Sequence, residues 1–179
     1  MSEIRFTTFE TPLGSMIGIG NSCIIYRIDF TDNPDLTKEI TQLSRNFNSE
    51  IQEGSTDALN LLKKEMADYF SGNLKKFTVL TMPLGTSFQK HVWTTLAKVP
   101  YGTTQSYADI AKSINSPTSF RAVANANGSN PIAIIIPCHR IIKSSGDLCG
   151  YRCGVERKKW LLKHEHFYRD HPLALPDFI

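Results

Sequence analysis

Residues 132–136 form an apolar run, IAIII, that is followed at once by Pro137 and Cys138. A run of this length and β-branched content predicts a buried strand. Proline has no N–H for a sheet ladder, so we expect the strand to end at Pro137 and to present Cys138 at the end of a sheet. His139 and Arg140 follow, and neighbouring cations stabilise the thiolate, which is the nucleophilic form of cysteine. Cys138 is therefore a candidate nucleophile. The alternative, a small buried hydrophobe, stays open at this point.

The chain has 179 residues and a hydrophobic content of 41%, enough for one ample core or two small domains. No segment approaches the roughly 18 consecutive apolar residues of a membrane span, and the N-terminus lacks the apolar stretch of a signal peptide. We therefore expect no membrane partner and a cytoplasmic protein, or a nuclear one if the source is eukaryotic. The four cysteines are sparse and are expected to remain thiols in a reducing compartment.

Charge is divided unevenly along the chain. Residues 1–85 hold 8 Lys and Arg against 11 Asp and Glu, whereas residues 86–179 hold 12 against 6. The basic surplus thus lies in the half that carries Cys138, which favours contact with a polyanion. Basic runs also occur on solvated helix faces, so the charge alone does not decide the partner.

Residues 1–85 are predicted to form a structural domain that ends in a linker at 81–85. Strand-like stretches, joined by turn residues, lie at residues 4–9, 16–20 and 23–30, which suggests a small antiparallel sheet. Apolar residues then recur twice at helical spacing and predict two helices that cover the sheet: Leu36, Ile40, Leu43 and Phe47, then Leu59, Leu62, Met66 and Phe70. We find no catalytic constellation in this half.

Residues 86–179 contain a helix-turn-helix pattern. A helical stripe that includes Phe88, Val92 and Leu96 comes first. Ser106, with Asp109 three residues later, is typical of a capping box that begins a short helix ending at Ile114. Ser116 and Pro117 are predicted to begin the second short helix.

The second helix is predicted to bury Phe120, Val123 and Ala124 and to expose small residues around Arg121. That outward face, with Ala122, Ala126 and Gly128, would let the helix lie close to a partner. Tight packing between helices, with Arg121 as a surface charge, is the alternative.

Ordered motifs across residues 88–166 resemble the O6-alkylguanine-DNA alkyltransferase family. The matching segments are Pro100-Tyr101-Gly102, Ser106-Tyr107, Arg121-Ala122-Val123, Asn130-Pro131, Ile136-Pro137-Cys138-His139-Arg140, Gly150-Tyr151, Lys159-Trp160-Leu161-Leu162 and His164-Glu165. The first half matches loosely, mainly in Thr11-Pro12-Leu13-Gly14. The resemblance implies an α/β ribonuclease-H-like domain at 1–85, with an antiparallel sheet and helices, and a mainly α domain at 86–179 with a winged helix-turn-helix.

The chemistry that the resemblance implies is DNA repair in a single turnover. Cys138 would take the alkyl group from O6-alkylguanine, and from O4-alkylthymine, as a thioether that the protein cannot cleave, so each molecule inactivates itself. His139 would accept the thiol proton through a water, and Glu165 would orient His139 and compensate its charge. Without the resemblance, Glu165 would be taken for an exposed acid at a helix end. No cofactor is expected.

The resemblance also implies double-stranded alkylated DNA as the partner of a monomer. The target base must leave the stack, and Arg121 would enter the space while its helix lies in the minor groove. Tyr107 would displace the backbone at the pocket mouth and donate a hydrogen bond to the base. Ser116 and Arg140 are further predicted DNA contacts.

The predicted substrate pocket adds residues around Cys138. Asn130 would tie the helix pair to the active-site segment, the Cys138 and Ile141 carbonyls would accept from the guanine amino group, and Tyr151 would line the pocket. Arg152 and Cys153 stand where many relatives have a small residue and then glycine. Their bulk predicts that methyl groups react faster than benzyl groups.

Two other classes of function remain as alternatives. A zinc site could use Cys138, His139, Cys149 and Cys153, but the spacing lacks a Cys-x-x-Cys pair and zinc would occupy the nucleophile, so no metal is predicted. The second alternative is a DNA-binding protein without transfer chemistry.

Overall fold

The computed structural model describes residues 3–148 and 150–170. Its elements in chain order are β1 (Ile4–Phe9), β2 (Met16–Gly20), β3 (Ile25–Phe30), α1 (Leu36–Phe47), β4 (Ile51–Glu53), α2 (Asp57–Phe70), α3 (Ser87–Leu96), β5 (Gln105–Ser106), α4 (Tyr107–Ser113), α5 (Phe120–Gly128), a 3-10 turn (Cys138–Arg140), β6 (Ile141–Ile142) and α6 (Val155–Arg169). Within these described residues, no helix is both long and apolar enough to cross a bilayer.

The first half contains a four-stranded sheet in the order β3-β2-β1-β4. The three predicted strands pair antiparallel, and the two predicted helices, α1 and α2, are present. The sheet is mixed rather than purely antiparallel, because β4 pairs parallel to β1. Only three residues long, β4 gives no alternation for a pattern to detect. Helix α2 packs closely on β2, where a Cβ at Gly18 would lie 2.5 Å from Leu62.

The apolar run at 132–136 is not a strand, so that prediction is wrong. Ile132 forms only an isolated bridge with Ile28. The following residues turn, with Ile134 at φ 71° and the Ile136 N–H donating to the Ile132 carbonyl at 3.1 Å. A continuous apolar run indicates that a segment is buried on all sides, and this is true of a buried turn as well as of a buried strand. The turn lies in the core, and it leads into Pro137 and the buried Cys138.

The helix-turn-helix pair is present with one shifted boundary. Ser106 and Asp109 form the predicted capping box at the start of α4. Helix α5 begins at Phe120 rather than at Ser116, because residues 116–119 form a turn in which the Ser116 and Ser119 hydroxyls lie 2.6 Å apart. Strands β5 and β6, each two residues long, pair in parallel and bring the start of α4 next to the 3-10 turn.

The larger of two hydrophobic clusters among the described residues joins the two halves of the chain, while the smaller one lies within the first half, between the sheet and α1. The larger cluster includes Phe30 and Leu62 from the first half, and Trp93, Ile132 and Leu161 from the second. The Ile28 N–H also donates to the Pro131 carbonyl at 2.9 Å, which ties β3 to the segment that leads to Cys138. Elements of the first half therefore lie directly behind the candidate site.

Candidate active site

Cys138 begins the 3-10 turn and is buried, with 6% of its surface exposed. The Asn130 amide nitrogen lies 3.1 Å from its Sγ and donates to it. Burial raises the pKa of the Cys138 thiol, and the bond from Asn130 only partly offsets this effect. The resting cysteine is therefore a thiol, and a nucleophilic reaction needs a base that removes its proton.

Asn130 holds the turn around Cys138 in shape. Its side-chain nitrogen also donates to the carbonyls of Ile136 at 2.8 Å and Ile132 at 3.2 Å, and its oxygen accepts from the Ile132 N–H at 2.9 Å. From α5, the Asn127 amide donates to the Cys138 carbonyl at 3.4 Å. The hydrogen bonds that the resemblance implied for Asn130 are thus present, and Asn127, which the sequence did not single out, adds a second tie to α5.

His139 and Glu165 are fully buried and form a close pair. His139 Nε2 lies 2.7 Å from Glu165 Oε1. A carboxylate only accepts, so Nε2 carries the proton and Nδ1 is left as an acceptor. Within the part of the chain that the structure describes, this buried Nδ1 has no hydrogen-bond partner. Burial lowers the pKa of His139 more than Glu165 raises it, so the imidazole is neutral at neutral pH.

Glu165 is held by donors from three other parts of the chain. Tyr69 donates to Oε1 at 2.8 Å, the Gly102 N–H donates to Oε2 at 3.1 Å, and Arg140 donates to both oxygens at 2.8 and 3.0 Å. Burial raises the pKa of Glu165, but His139 and Arg140 together lower it well below its usual value. The acid is therefore buried and ionised, not exposed at a helix end.

Arg140 is not placed to contact DNA. Its side chain is only 9% exposed, its guanidinium binds Glu165, and its third hydrogen bond goes to the Val99 carbonyl at 2.6 Å. The predicted DNA contact is therefore not supported by the structure. A buried carboxylate needs a paired cation, and Arg140 fills that need.

Tyr107 and Arg121 line one groove of about 450 Å³ between α4, α5 and the segment after β6. Phe120, which was predicted to be buried, is 46% exposed and lies beside them, with its ring 5.8 Å from the Arg121 guanidinium. The other lining residues are Ala108, Ala124, Asn125, Lys143, Ser144 and Gly150. Ser116 is half-buried in the turn before α5.

Two small residues of α5 face differently from the prediction. Ala124 lines the groove instead of the core, and Ala126 is buried, with its carbonyl accepting from Trp93 Nε1 at 2.7 Å. With the helix beginning at Phe120, α3 packs against the face that carries Ala126. Ala122 remains exposed, as predicted, next to Arg121.

The remaining predicted pocket residues divide into two groups. Tyr151 and Ile141 are buried near Cys138, and the Ile141 carbonyl accepts from the buried Lys158 Nζ at 2.5 Å. Burial raises the pKa of Tyr151, and nearby Cys138 and Cys153 raise it further. Arg152, by contrast, is only partly buried.

Arg152 is held by carboxylates of the first half. It binds Asp29, and it donates to Glu39 at 2.8 Å. The positive charge of Arg152 still acts on Cys138 and favours its thiolate, so the pocket role of Arg152 stays a prediction. Cys153 is partly buried, and desolvation raises its pKa to about 12.

Tyr69 is the residue at this site that the sequence most clearly did not reveal. It lies in the apolar stripe of α2, where a tyrosine is expected as a core residue, and no local motif links it to Glu165. For a metal, the described residues contain no cluster of three His, Cys, Asp or Glu side chains that could hold an ion. Cys149, one ligand of the zinc alternative, lies outside the described residues.

The chain is similar in sequence to proteins that are named as methyltransferases of methylated DNA. Residues 87–167 match the family model of the 6-O-methylguanine DNA methyltransferase, DNA binding domain. The chain is 37% identical over 166 residues to the methylated-DNA–protein-cysteine methyltransferase of Methanosarcina acetivorans, covering 89% of this chain and 97% of the relative.

Solved structures agree with this similarity. The Mycobacterium tuberculosis OGT in complex with DNA superposes with a TM-score of 0.79 at 35% identity, covering 92% of this chain and 94% of that one. The O6-methylguanine-DNA methyltransferase of Pyrococcus kodakaraensis gives a TM-score of 0.66 at 26% identity, covering 90% and 98%. The similarity therefore extends over both halves of the chain.

Proposed function

The chain belongs to the methylated-DNA–protein-cysteine methyltransferase family, which repairs DNA by alkyl transfer to a cysteine of the protein, and we propose that Cys138 is that cysteine. The observation that carries the assignment concerns buried His139, next to Cys138: Glu165 fixes its Nε2, and its Nδ1 has no hydrogen-bond partner among the described residues. A buried acceptor without a partner costs free energy and is rare away from functional sites. This nitrogen is free to accept a proton during the reaction.

The proton of Cys138 passes to His139 through a water between Sγ and Nδ1. Glu165 keeps the imidazole in the tautomer that can accept and compensates the positive charge that forms. The thiolate then attacks the alkyl carbon, so that a C–S bond forms while the bond to guanine O6 breaks and its electron pair stays on the guanine. The thioether that results is stable, and each molecule acts once, without a cofactor.

Double-stranded alkylated DNA is the partner, bound through its minor groove. The groove beside α5 supports this assignment, because it combines a small-residue surface, an exposed aromatic ring and the exposed cation Arg121. Arg121 enters the base stack as the damaged nucleotide rotates out, and Tyr107 at the groove wall contacts the rotated base. Ser116, in the turn before α5, contacts a phosphate of the DNA backbone.

The extruded base binds against the Cys138 and Ile141 carbonyls, with Tyr151 beside the sulfur. Both O6-alkylguanine and O4-alkylthymine are substrates. Arg152 and Cys153 both add bulk near the sulfur, and methyl groups react faster than benzyl groups.

The finer points of the architecture are also proposals. We assign residues 1–85 to a ribonuclease-H-like domain and residues 86–179 to a domain with a winged helix-turn-helix. The protein acts as a monomer in the cytoplasm, or in the nucleus if its source is eukaryotic. The paired β5 and β6 next to α4 support the wing, and the mixed sheet with α1 and α2 supports the first domain.

Stoichiometry tests the function directly. The protein is incubated with excess duplex DNA that carries one radiolabelled O6-methylguanine, and protein-bound label is counted over time. We expect a plateau at one methyl group per molecule, and none with Cys138→Ser. Cys23→Ser is the matched control, because Cys23 is an exposed thiol, and it should reach the full plateau. Turnover beyond one contradicts the single-use mechanism, and binding without transfer favours the DNA-binding alternative.

A further inference from the structure

Tyr69 connects the first half of the chain to the buried carboxylate of the second. It lies at the end of α2, and its hydroxyl donates to Glu165 Oε1 at 2.8 Å across 96 residues of sequence. Both side chains are fully buried. The oxygen that accepts from Tyr69 is the same one that pairs with His139 Nε2.

We propose that Tyr69 is a positioning residue for alkyl transfer, because its hydroxyl fixes the Glu165 oxygen that orients His139. The inference rests on the roles of His139 and Glu165 proposed above. Arg140 bridges both carboxylate oxygens and the Gly102 N–H binds Oε2, so Tyr69 adds a further protein donor to Oε1, from the direction of α2.

The ring of Tyr69 has little freedom to move. It contacts four other rings, with centroid distances between 5.3 and 6.1 Å, which belong to Phe70, Phe77, Tyr101 and His164. The Tyr69 carbonyl also lies 2.8 Å from His164 Nε2, one residue before Glu165. Backbone and side chain of Tyr69 are thus both tied to the end of α6, which makes the hydroxyl a fixed donor.

The hydroxyl also changes the charge balance of the pair. The titratable and charged groups around His139 and Glu165 are Cys138 and Arg140 on the 3-10 turn, Lys158 and His164 on α6, Tyr101 before β5, and Tyr69 on α2. A donor to the carboxylate stabilises its negative charge locally. Without that donor, Glu165 attracts the proton on His139 more strongly, and the pKa of His139 rises.

Tyr69→Phe removes the hydroxyl and keeps the ring. The single-turnover transfer rate is measured against pH, and the His139 ring nitrogens are followed by ¹⁵N NMR, with His139→Gln assigning the resonance. The rate falls at low pH when His139 is protonated. We expect this fall, and the midpoint of the NMR titration, to move up by about 0.5 pH unit in Tyr69→Phe. A loss of packing alone would lower stability without moving either midpoint.

Tyr101→Phe is the matched control. The Tyr101 hydroxyl is also buried near Glu165, but it has no hydrogen-bond partner among the described residues. We expect its removal to leave both midpoints in place. A second variant, with a fluorinated tyrosine at position 69, makes the hydroxyl a stronger donor and should move both midpoints down, so the test does not depend on Tyr69→Phe alone.

The outcomes distinguish the role of Tyr69 from the proton transfer between Cys138 and His139 on which it rests. Unmoved midpoints in both Tyr69 variants overturn the role of Tyr69 but do not contradict that proton transfer. If the NMR midpoint moves and the rate profile does not follow, His139 is not the base, and both proposals fail. Concerted movement of the two midpoints supports both.

Discussion

The Asn130 amide lies 3.1 Å from Cys138 Sγ and also bonds both carbonyls that shape the turn before it. One side chain thus contacts the sulfur and holds the chain that carries it. Because the donor faces the sulfur, it favours the thiolate over the thiol, against the effect of burial.

Asn130→Ala should therefore destabilise the fold and raise the pKa of Cys138 further. The loss of buried hydrogen bonds should lower the free energy of unfolding by about 1–3 kcal/mol, measured in urea. Thiolate absorbance against pH, corrected with a Cys138→Ser background, gives the pKa. Asn60→Ala, at an exposed position of α2, is the control. An unchanged thiol pKa in Asn130→Ala would show that the contact with Sγ has no electrostatic effect.

Arg121→Ala should separate base extrusion from chemistry. Transfer from duplex DNA should slow by about 100-fold, since extruding a base costs a few kcal/mol that the arginine offsets. Transfer from free O6-benzylguanine should be unaffected, because no stack has to open. Lys98→Ala removes another exposed cation and should change neither rate by more than about twofold. Equal losses on duplex and free base would contradict the role of Arg121.

Acidification should destabilise the protein in two steps. The pKa of His139 is lowered in the folded state, so the unfolded chain binds the extra proton first and stability falls below about pH 6.5. The pKa of Glu165 is also lowered, so its contribution is present above the unfolded value near 4.3 and is lost as pH falls further. Urea unfolding from pH 7 to pH 3 measures both steps. Burial also lowers the pKa of His164, which contributes to the first step, so His139→Gln should reduce that step and retain a loss below about pH 4.5.

Cys153→Gly should widen the range of alkyl groups. Removing the side chain beside Cys138 should raise the benzyl rate relative to the methyl rate by about tenfold, which corresponds to about 1.4 kcal/mol. Arg152→Gly is the informative comparison: it should also raise this ratio, and it should lower stability, since Arg152 binds Asp29 and Glu39. A benzyl rate that already exceeds the methyl rate in the unmodified protein would refute the proposed preference.

The sequence predicted the parts of this molecule that local patterns specify. Periodic apolar residues located α1 and α2, and the capping box located α4, because helices express their period and caps within a few residues. The apolar run at 132–136 was wrongly predicted to be a strand, because a run without polar residues has no periodicity that distinguishes a strand from a turn. Asn130, His139 and Glu165 were identified through the family resemblance, and the structure brings them together around Cys138.

What the sequence could not reveal are contacts between distant segments. Tyr69 and Glu165 meet across 96 residues, and Arg152 pairs with Asp29 across 123. The burial of Arg140 against Glu165 could not be predicted for the same reason, because it depends on how α6 packs. The prediction that the first half is purely structural is incomplete in this respect, since α2 supplies Tyr69 to the buried carboxylate.

The most direct test of the central claim is the location of the transferred group. After reaction with duplex DNA containing O6-methylguanine, the protein is digested and its cysteine peptides are sequenced by mass spectrometry. We expect one added methyl group, on Cys138 alone, with Cys23 and Cys153 unmodified. Methyl groups on another residue, or a fully methyl-accepting Cys138→Ser variant, would contradict this claim.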